Sequence, residues 1–168
     1  NWEREMLALN EQAPTVLRTN SLKTTPRELI ADLNDENVEA FTIKNYPDAV
    51  QLAEKKNVFL TSAFKDGLFE VQDASSQKIG ELLDVKEGMR VVDACAGAGG
   101  KTLHLAALMK NKGQIIALDI YEWKLAELKR RAKRAGAHNI ETRLISDNKV
   151  IKRLHEKADR LLIDAPCS

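Results

Sequence analysis

A chain of 168 residues with 43% hydrophobic content has enough apolar surface to bury a core, which excludes a disordered chain. A formal net charge of +1 excludes a global electrostatic pull toward nucleic acid or membrane, so either partner would need a local patch. No apolar run is long enough to span a bilayer, no signal-peptide pattern opens the chain, and two cysteines, Cys95 and Cys167, suggest no disulfide framework, which fits a cytoplasmic setting.

Residues 1–72 have a mixed texture. "TVLRTN" reads as a short strand. "TTPRELIADLNDEN" carries a threonine cap, a proline near its first turn and apolar Leu29, Ile30 and Leu33, and so predicts a helix. "VEAFTIKNY" and the segment from Ala49 to Asp73 read as strand-like pieces broken at Asp66-Gly67, a hairpin or loop signal. Together these predict a small α+β unit.

From residue 73 the alternation becomes regular. "ASSQKIGELLDV" predicts a helix, "RVVDAC" a buried strand and "KTLHLAALMKN" a helix. "QIIALDI", "EWKLAELKRRAKRAG", "IETRLIS", "DNKVIKRLHEKA" and "RLLIDAP" then continue strand, helix, strand, short helix, strand. Such alternation predicts parallel pairing with right-handed crossovers, and runs such as VVDA and IIAL suit strands covered on both faces. The expected class is α/β: a Rossmann-like, doubly wound sheet of about four parallel strands, preceded by the α+β unit. The start on Asn1 without a methionine, and the stop at Ser168 straight after a strand, read as a fragment of a longer protein.

In such sheets ligands bind outside the carboxyl ends of the strands. Asp93, Asp119, Asp147 and Asp164 stand at or just past the four successive ends, which predicts that most face one pocket. The bend "CAGAGGKT" admits several readings. A phosphate cradle needs G-x-x-x-x-G-K-[ST]; Gly100, Lys101 and Thr102 supply its second half, but its first glycine falls on Cys95. The dinucleotide fingerprint is also incomplete, since Gly97 and Gly99 are followed at once by Gly100 and position 102 is Thr. Asp119 lies 22 residues after Gly97, where a carboxylate accepts hydrogen bonds from ribose hydroxyls. S-adenosylmethionine has a ribose and no pyrophosphate, so it can do without the third glycine. In that reading Asp93 or the loop amides meet its amino-acid end and Asp147 lies near the adenine.

"DAPCS" sets Asp164 and Cys167 just past a strand end, with Pro166 fixing the bend. Carbon 5 of a pyrimidine is a poor nucleophile until a thiolate adds to carbon 6, and an acid on the ring nitrogen stabilises the enamine that forms. A cysteine at a strand end is equally readable as a small buried apolar residue.

The chain resembles the RNA cytosine-5 methyltransferases of the Fmu/Sun (nucleolar antigen) type over nearly its whole length. The resemblance is carried by "LRTNSLK" at 17–23, "GLFEVQDASSQ" at 67–77, "DACAGAGGKT" at 93–102, "ALDI" at 117–120, the Asp147 position and "DAPCS" at 164–168. It implies that Cys95, Ala96, Gly97, Ala98, Gly99, Gly100 and Lys101 form the loop for S-adenosylmethionine, with Asp119, Asp147 and Asp164 as further contacts. It also implies that residues 1–72 help to present RNA, that residues 73–168 begin the catalytic domain, and that the substrate is RNA, ribosomal RNA first. No membrane and no obligate protein partner is implied. Asp164 would contact the cytosine ring. Cys167 matches the cysteine that assists product release, while the family's attacking cysteine comes from a later segment, so weak or no turnover is expected from these residues alone. Reading Cys167 as the nucleophile is the second choice. The family usually has Ala-Pro where this chain has Gly97-Ala98, and an arginine is common where Lys124 stands.

The basic run with Lys129, Arg130, Arg131, Lys133 and Arg134 invites an RNA-binding reading. Its apolar residues recur at helical spacing through Leu125, Leu128 and Ala132, so the charges read first as the solvated face of a surface helix. His104 and His138 have no partners at metal spacing, so no zinc site is expected, and the sparse aromatics offer no evident stacking platform for bases.

Overall fold

The computed structural model describes residues 13–165, with Trp2 and Met6. The expected residues Pro166, Cys167 and Ser168 lie outside the described residues.

The N-terminal unit is a four-stranded antiparallel sheet in the order β2-β3-β1-β4, built from β1 (Val16–Thr19), β2 (Ala40–Ile43), β3 (Tyr46–Leu52) and β4 (Phe69–Val71). Helix α1 (Pro26–Asp35) starts as its sequence predicts. The Thr25 hydroxyl accepts from the Glu28 amide, the Glu28 carboxylate accepts from the Thr25 amide, and proline opens the first turn. Such a cap contributes about 1 kcal/mol. Leu29 and Leu33 pack from this helix onto Leu17, Val50 and Phe69 of the sheet.

One expectation is narrowed and one changes here. Asp66-Gly67, a hairpin or loop signal, is a loop, and the hairpin joins β2 to β3 at Lys44-Asn45, where Asn45 has φ 67°. Residues 58–65 are helical, as a 3₁₀ turn (Val58–Leu60) followed by α2 (Ser62–Lys65), where strand was expected. The side chains of Asn57 and Thr61 accept from the amides of Phe59 and Phe64, and those local bonds outweigh the β propensity of the apolar residues. Asp66-Gly67 is the turn out of α2.

After α3 (Ala74–Leu82), capped by Asp73, the second sheet begins. Its strands β5 (Arg90–Asp93), β6 (Gln114–Asp119), β7 (Ile140–Leu144) and β8 (Arg160–Leu162) are all parallel, in the order β7-β6-β5-β8. Helices α4 (Gly100–Leu108), α5 (Glu122–Ala135) and α6 (Asn148–Lys152) make the crossovers. The expected doubly wound sheet is thus present, and its order reverses between β5 and β8, which opens a crevice at their carboxyl ends. One face packs Val91, Ile115 and Ala117 against Leu103, Leu105, Leu128 and Ala132. The other sets Val92, Ile116 and Leu118 against Ile145, Val150 and Leu154. That second cover is thin: Leu161 and Ile163 remain 53% and 65% exposed, and among the described residues β8 pairs with β5 alone.

Candidate functional site

The first strand delivers Asp93 to the crevice, and the chain then bends through Cys95–Gly99 into the start of α4. Asp93 is 1% exposed. Its Oδ2 accepts from the Thr102 hydroxyl at 2.7 Å, while its buried Oδ1 has no partner in good hydrogen-bond geometry among the described residues. Burial pushes its carboxyl above the usual range, against the lowering effects of the Thr102 hydroxyl and the Cys95 amide. The bend needs glycine. Gly99 has φ +90°, and a Cβ there would stand 2.6 Å from Leu128 Cγ. Gly97 has φ +55° with open space around it.

The second strand delivers Asp119, also buried. Its Oδ2 accepts from the Gly97 amide at 2.9 Å and its Oδ1 from the Tyr121 amide at 2.8 Å. Each oxygen keeps a second lone pair for a hydroxyl. The fourth strand delivers Asp164, whose carboxylate pairs with Lys101 Nζ from the first turn of α4.

Two clefts meet across this bend. One, of about 290 Å³, is lined by Gln72, Ser76, Asp93, Gly100 and Lys101. The other, of about 460 Å³, is lined by Asp119, Ile120, Tyr121, Lys124, Ile145 and Ala165. Both share Cys95, Gly97 and Asp164. Of the residues singled out by sequence, Cys95, Ala96, Gly97, Gly100, Lys101, Asp119 and Asp164 therefore line this double cleft. Ala98 and Gly99 line neither and form the back of the bend. Asp147 is exposed and caps α6, its Oδ1 accepting from the Lys149 amide at 2.7 Å; it lines neither cleft, although Ile145, two residues before it, does. The Cys95 thiol is pushed up, first by burial and then by the carboxylates of Asp93, Asp119 and Asp164, so it stays protonated and is a poor nucleophile.

Sequence reasoning missed several lining residues. Gln72 and Ser76 come from the junction of β4 with α3, and nothing in the glycine bend points to them. Tyr121 lines the second cleft and Trp123, which does not, stands 6.3 Å from its ring; both are exposed, with Lys124 Nζ 4.6 and 5.6 Å from their ring centres, so an aromatic and cationic cluster stands where no stacking platform was expected. The basic helix also differs from expectation. Lys129, Arg130 and Lys133 face solvent, but Arg131 and Arg134 turn inward onto Glu70 of β4, at 2.8 and 2.6 Å.

A parallel sheet whose first strand ends in a glycine bend, and whose second ends in a carboxylate bonded to that bend, defines a Rossmann-like α/β domain. Residues 80–168 match the family model described as 16S rRNA methyltransferase RsmB/F, and residues 1–59 match the ferredoxin-like domain of RsmF/B-like methyltransferases. The chain belongs to this RsmB/F family, the Fmu/Sun methyltransferases. It is 37% identical over 153 residues to the probable ribosomal RNA small subunit methyltransferase B of Bacillus subtilis, covering 90% of this chain and 34% of that protein. It is 36% identical to ribosomal RNA small subunit methyltransferase B of Klebsiella pneumoniae, covering 99% of this chain and 38% of that one. Among solved structures, a methyltransferase homolog protein from Pyrococcus horikoshii superposes with a TM-score of 0.85 at 33% identity, covering 96% of this chain and 53% of that chain. The chain thus spans little more than a third of the length of these curated relatives.

Proposed function

We propose that the protein containing this chain methylates carbon 5 of cytosine in RNA, with ribosomal RNA as substrate and S-adenosylmethionine as cofactor. The observation that carries the reading is the double cleft astride Gly97, with the unpartnered Oδ1 of Asp93 in one half and the acceptor Asp119 in the other. A zwitterionic amino-acid end suits the first half, where Asp93 Oδ1 takes the ammonium group. A ribose suits Asp119, and the apolar Ile120 and Ile145 suit the flat adenine. Asp147 Oδ2, which makes no hydrogen bond within the described residues, is assigned to the adenine amino group.

The cofactor supplies an electrophilic methyl group on a sulfonium centre. Asp164, at the point shared by both clefts, holds the cytosine ring nitrogen and stabilises the enamine made when a thiolate adds to carbon 6. Carbon 5 then takes the methyl group, and loss of the carbon 5 proton expels the thiolate. Cys167 is assigned to that release step and the attacking thiolate to a later segment of the gene product. Residues 1–72 form the unit that presents RNA, and residues 73–168 the first part of the catalytic domain. Names of the relatives support ribosomal RNA, and the exposed Tyr121 and Trp123, with the half-buried Lys124, give a rim suited to it.

Two experiments test the reading. Calorimetry with S-adenosylhomocysteine should give saturable binding where ATP gives none; tighter ATP binding would favour the phosphate cradle. RNA containing 5-fluorocytosine should trap a covalent complex in the gene product, and an adduct mapped to Cys167 would reverse the roles of the two cysteines.

A further inference from the structure

The back of the glycine bend is held by side chains from outside it. Arg18 lies on β1 and Glu70 directly opposite it on β4, as a cross-strand pair. Alternation along each strand sends Leu17 and Phe69 to the core under α1 and sends Arg18 and Glu70 to the other face, toward the bend. Both are buried. Arg18 Nη1 donates to the Gly100 carbonyl at 2.6 Å and to Gln72 Oε1 at 2.5 Å. Burial lowers the Arg18 guanidinium to about 10, with Glu70 and Asp48 opposing, so it stays charged at neutral pH. From the other side, Arg131 of α5 donates to the Ala98 carbonyl at 2.8 Å through Nη1 and to Glu70 Oε2 at 2.8 Å through Nη2. Arg134 takes the remaining Glu70 oxygen but does not touch the bend.

We propose that Arg18 and Arg131 are positioning residues for the cofactor bend, and that Glu70 of the N-terminal sheet is the strut that aims Arg131. The proposal rests on the reading of this bend as the cofactor site. A peptide unit is planar and trans, so its N–H points away from its C=O. Holding the Gly100 carbonyl on Arg18 therefore fixes the direction in which the Lys101 amide meets the first cleft. A guanidinium offers donors from two nitrogens of one rigid plane, and Arg131 gives one to the bend and one to its anchor, while Arg18 serves both its acceptors through Nη1. The N-terminal unit thereby sets cofactor affinity as well as presenting RNA.

The test uses the intact gene product, S-adenosylhomocysteine calorimetry and urea unfolding on the same samples. Arg18→Lys and Arg131→Lys should each weaken binding about tenfold or more. Two variants serve as controls for simple loosening of the seam. Arg134→Lys loses a comparable contact with Glu70, and Asn20→Ala removes the buried amide that bridges the Gly67 and Ala135 carbonyls, at 2.8 Å each. Both should lower stability while leaving affinity within about threefold. If a lysine variant does not fold, Glu70→Gln keeps the volume and should both weaken binding and speed amide exchange at residues 97–101. Lysine variants that bind like the controls, or an unchanged exchange rate in Glu70→Gln, would overturn the proposal while leaving the cofactor reading intact. A native protein that binds no S-adenosylhomocysteine would remove both.

Discussion

The Gly97 amide donates to the Asp119 carboxylate at 2.9 Å, so the bend after β5 and the end of β6 form one unit. Replacing Asp119 by Asn keeps the shape but turns one acceptor into a donor facing a backbone N–H. The expected result is S-adenosylhomocysteine binding weakened about tenfold or more, with a fold still cooperative in urea. Unchanged affinity in calorimetry would remove Asp119 from the ribose.

Gly99 and Gly97 make a matched pair. Gly99→Ala forces a methyl group into Leu128 at a backbone angle that L residues avoid, and should cost about 2–4 kcal/mol in urea unfolding. Gly97→Ala meets no neighbour and bears only the left-handed penalty of about 1–2 kcal/mol. Equal losses would mean that the bend moves freely against α5.

Thr102→Val removes the hydroxyl from Asp93 inside the core. The Asp93 carboxyl, already raised by burial, should rise further. Because the charged form is then worse solvated in the folded state, the variant should be less stable than the native chain by about 1–3 kcal/mol at pH 7. That deficit should shrink as pH falls toward the ordinary carboxylate range, where both proteins hold Asp93 neutral. Unfolding curves across this range check it.

His104 of α4 is 2% exposed, neither ring nitrogen has a hydrogen-bond partner among the described residues, and its ring lies against Gly80 of α3. Burial, and then the Arg18 charge, lower it to about 3. Stability from its neutral form is fully present above pH 6.5 and is lost as pH falls toward 3, because the unfolded chain takes up the proton first. Going from pH 7 to pH 5 should cost about 2 kcal/mol through this residue. Asp48, 3.9 Å from its Nε2 and raised by burial, acts in the opposite sense. Comparison with His104→Leu isolates the histidine: the variant should lose less stability over the interval, and parallel curves would refute the assignment.

Much of the C-terminal half was legible because its cues are local. Apolar runs of strand length, turn residues and an acid at each strand end identify Asp93, Asp119 and Asp164 without tertiary information. Asp147 shows two signals overlapping in that rule. An acid at a strand end is also an acid before a helix, and here it caps α6. The helical segment 58–65 was misread because capping by Asn57 and Thr61 outweighed the β propensity of its apolar residues. Arg18, Glu70 and Arg131 were illegible for another reason. Arg18 and Glu70 are lone charges in short strands and Arg131 is one of a basic run on an amphipathic helix, and both patterns ordinarily mean solvent. Their burial depends on two units docking, with partners 61 residues apart in the case of Glu70 and Arg131. The available hint was opposite charges at matching places in two short strands.

The strand β8 has a hydrogen-bonded neighbour on one side only among the described residues, and Leu161 and Ile163 flank it in the open. An uncovered row of amides and carbonyls beside branched apolar side chains is a template for edge-to-edge pairing. Pairing of two copies through that edge would show as light scattering that rises with protein concentration.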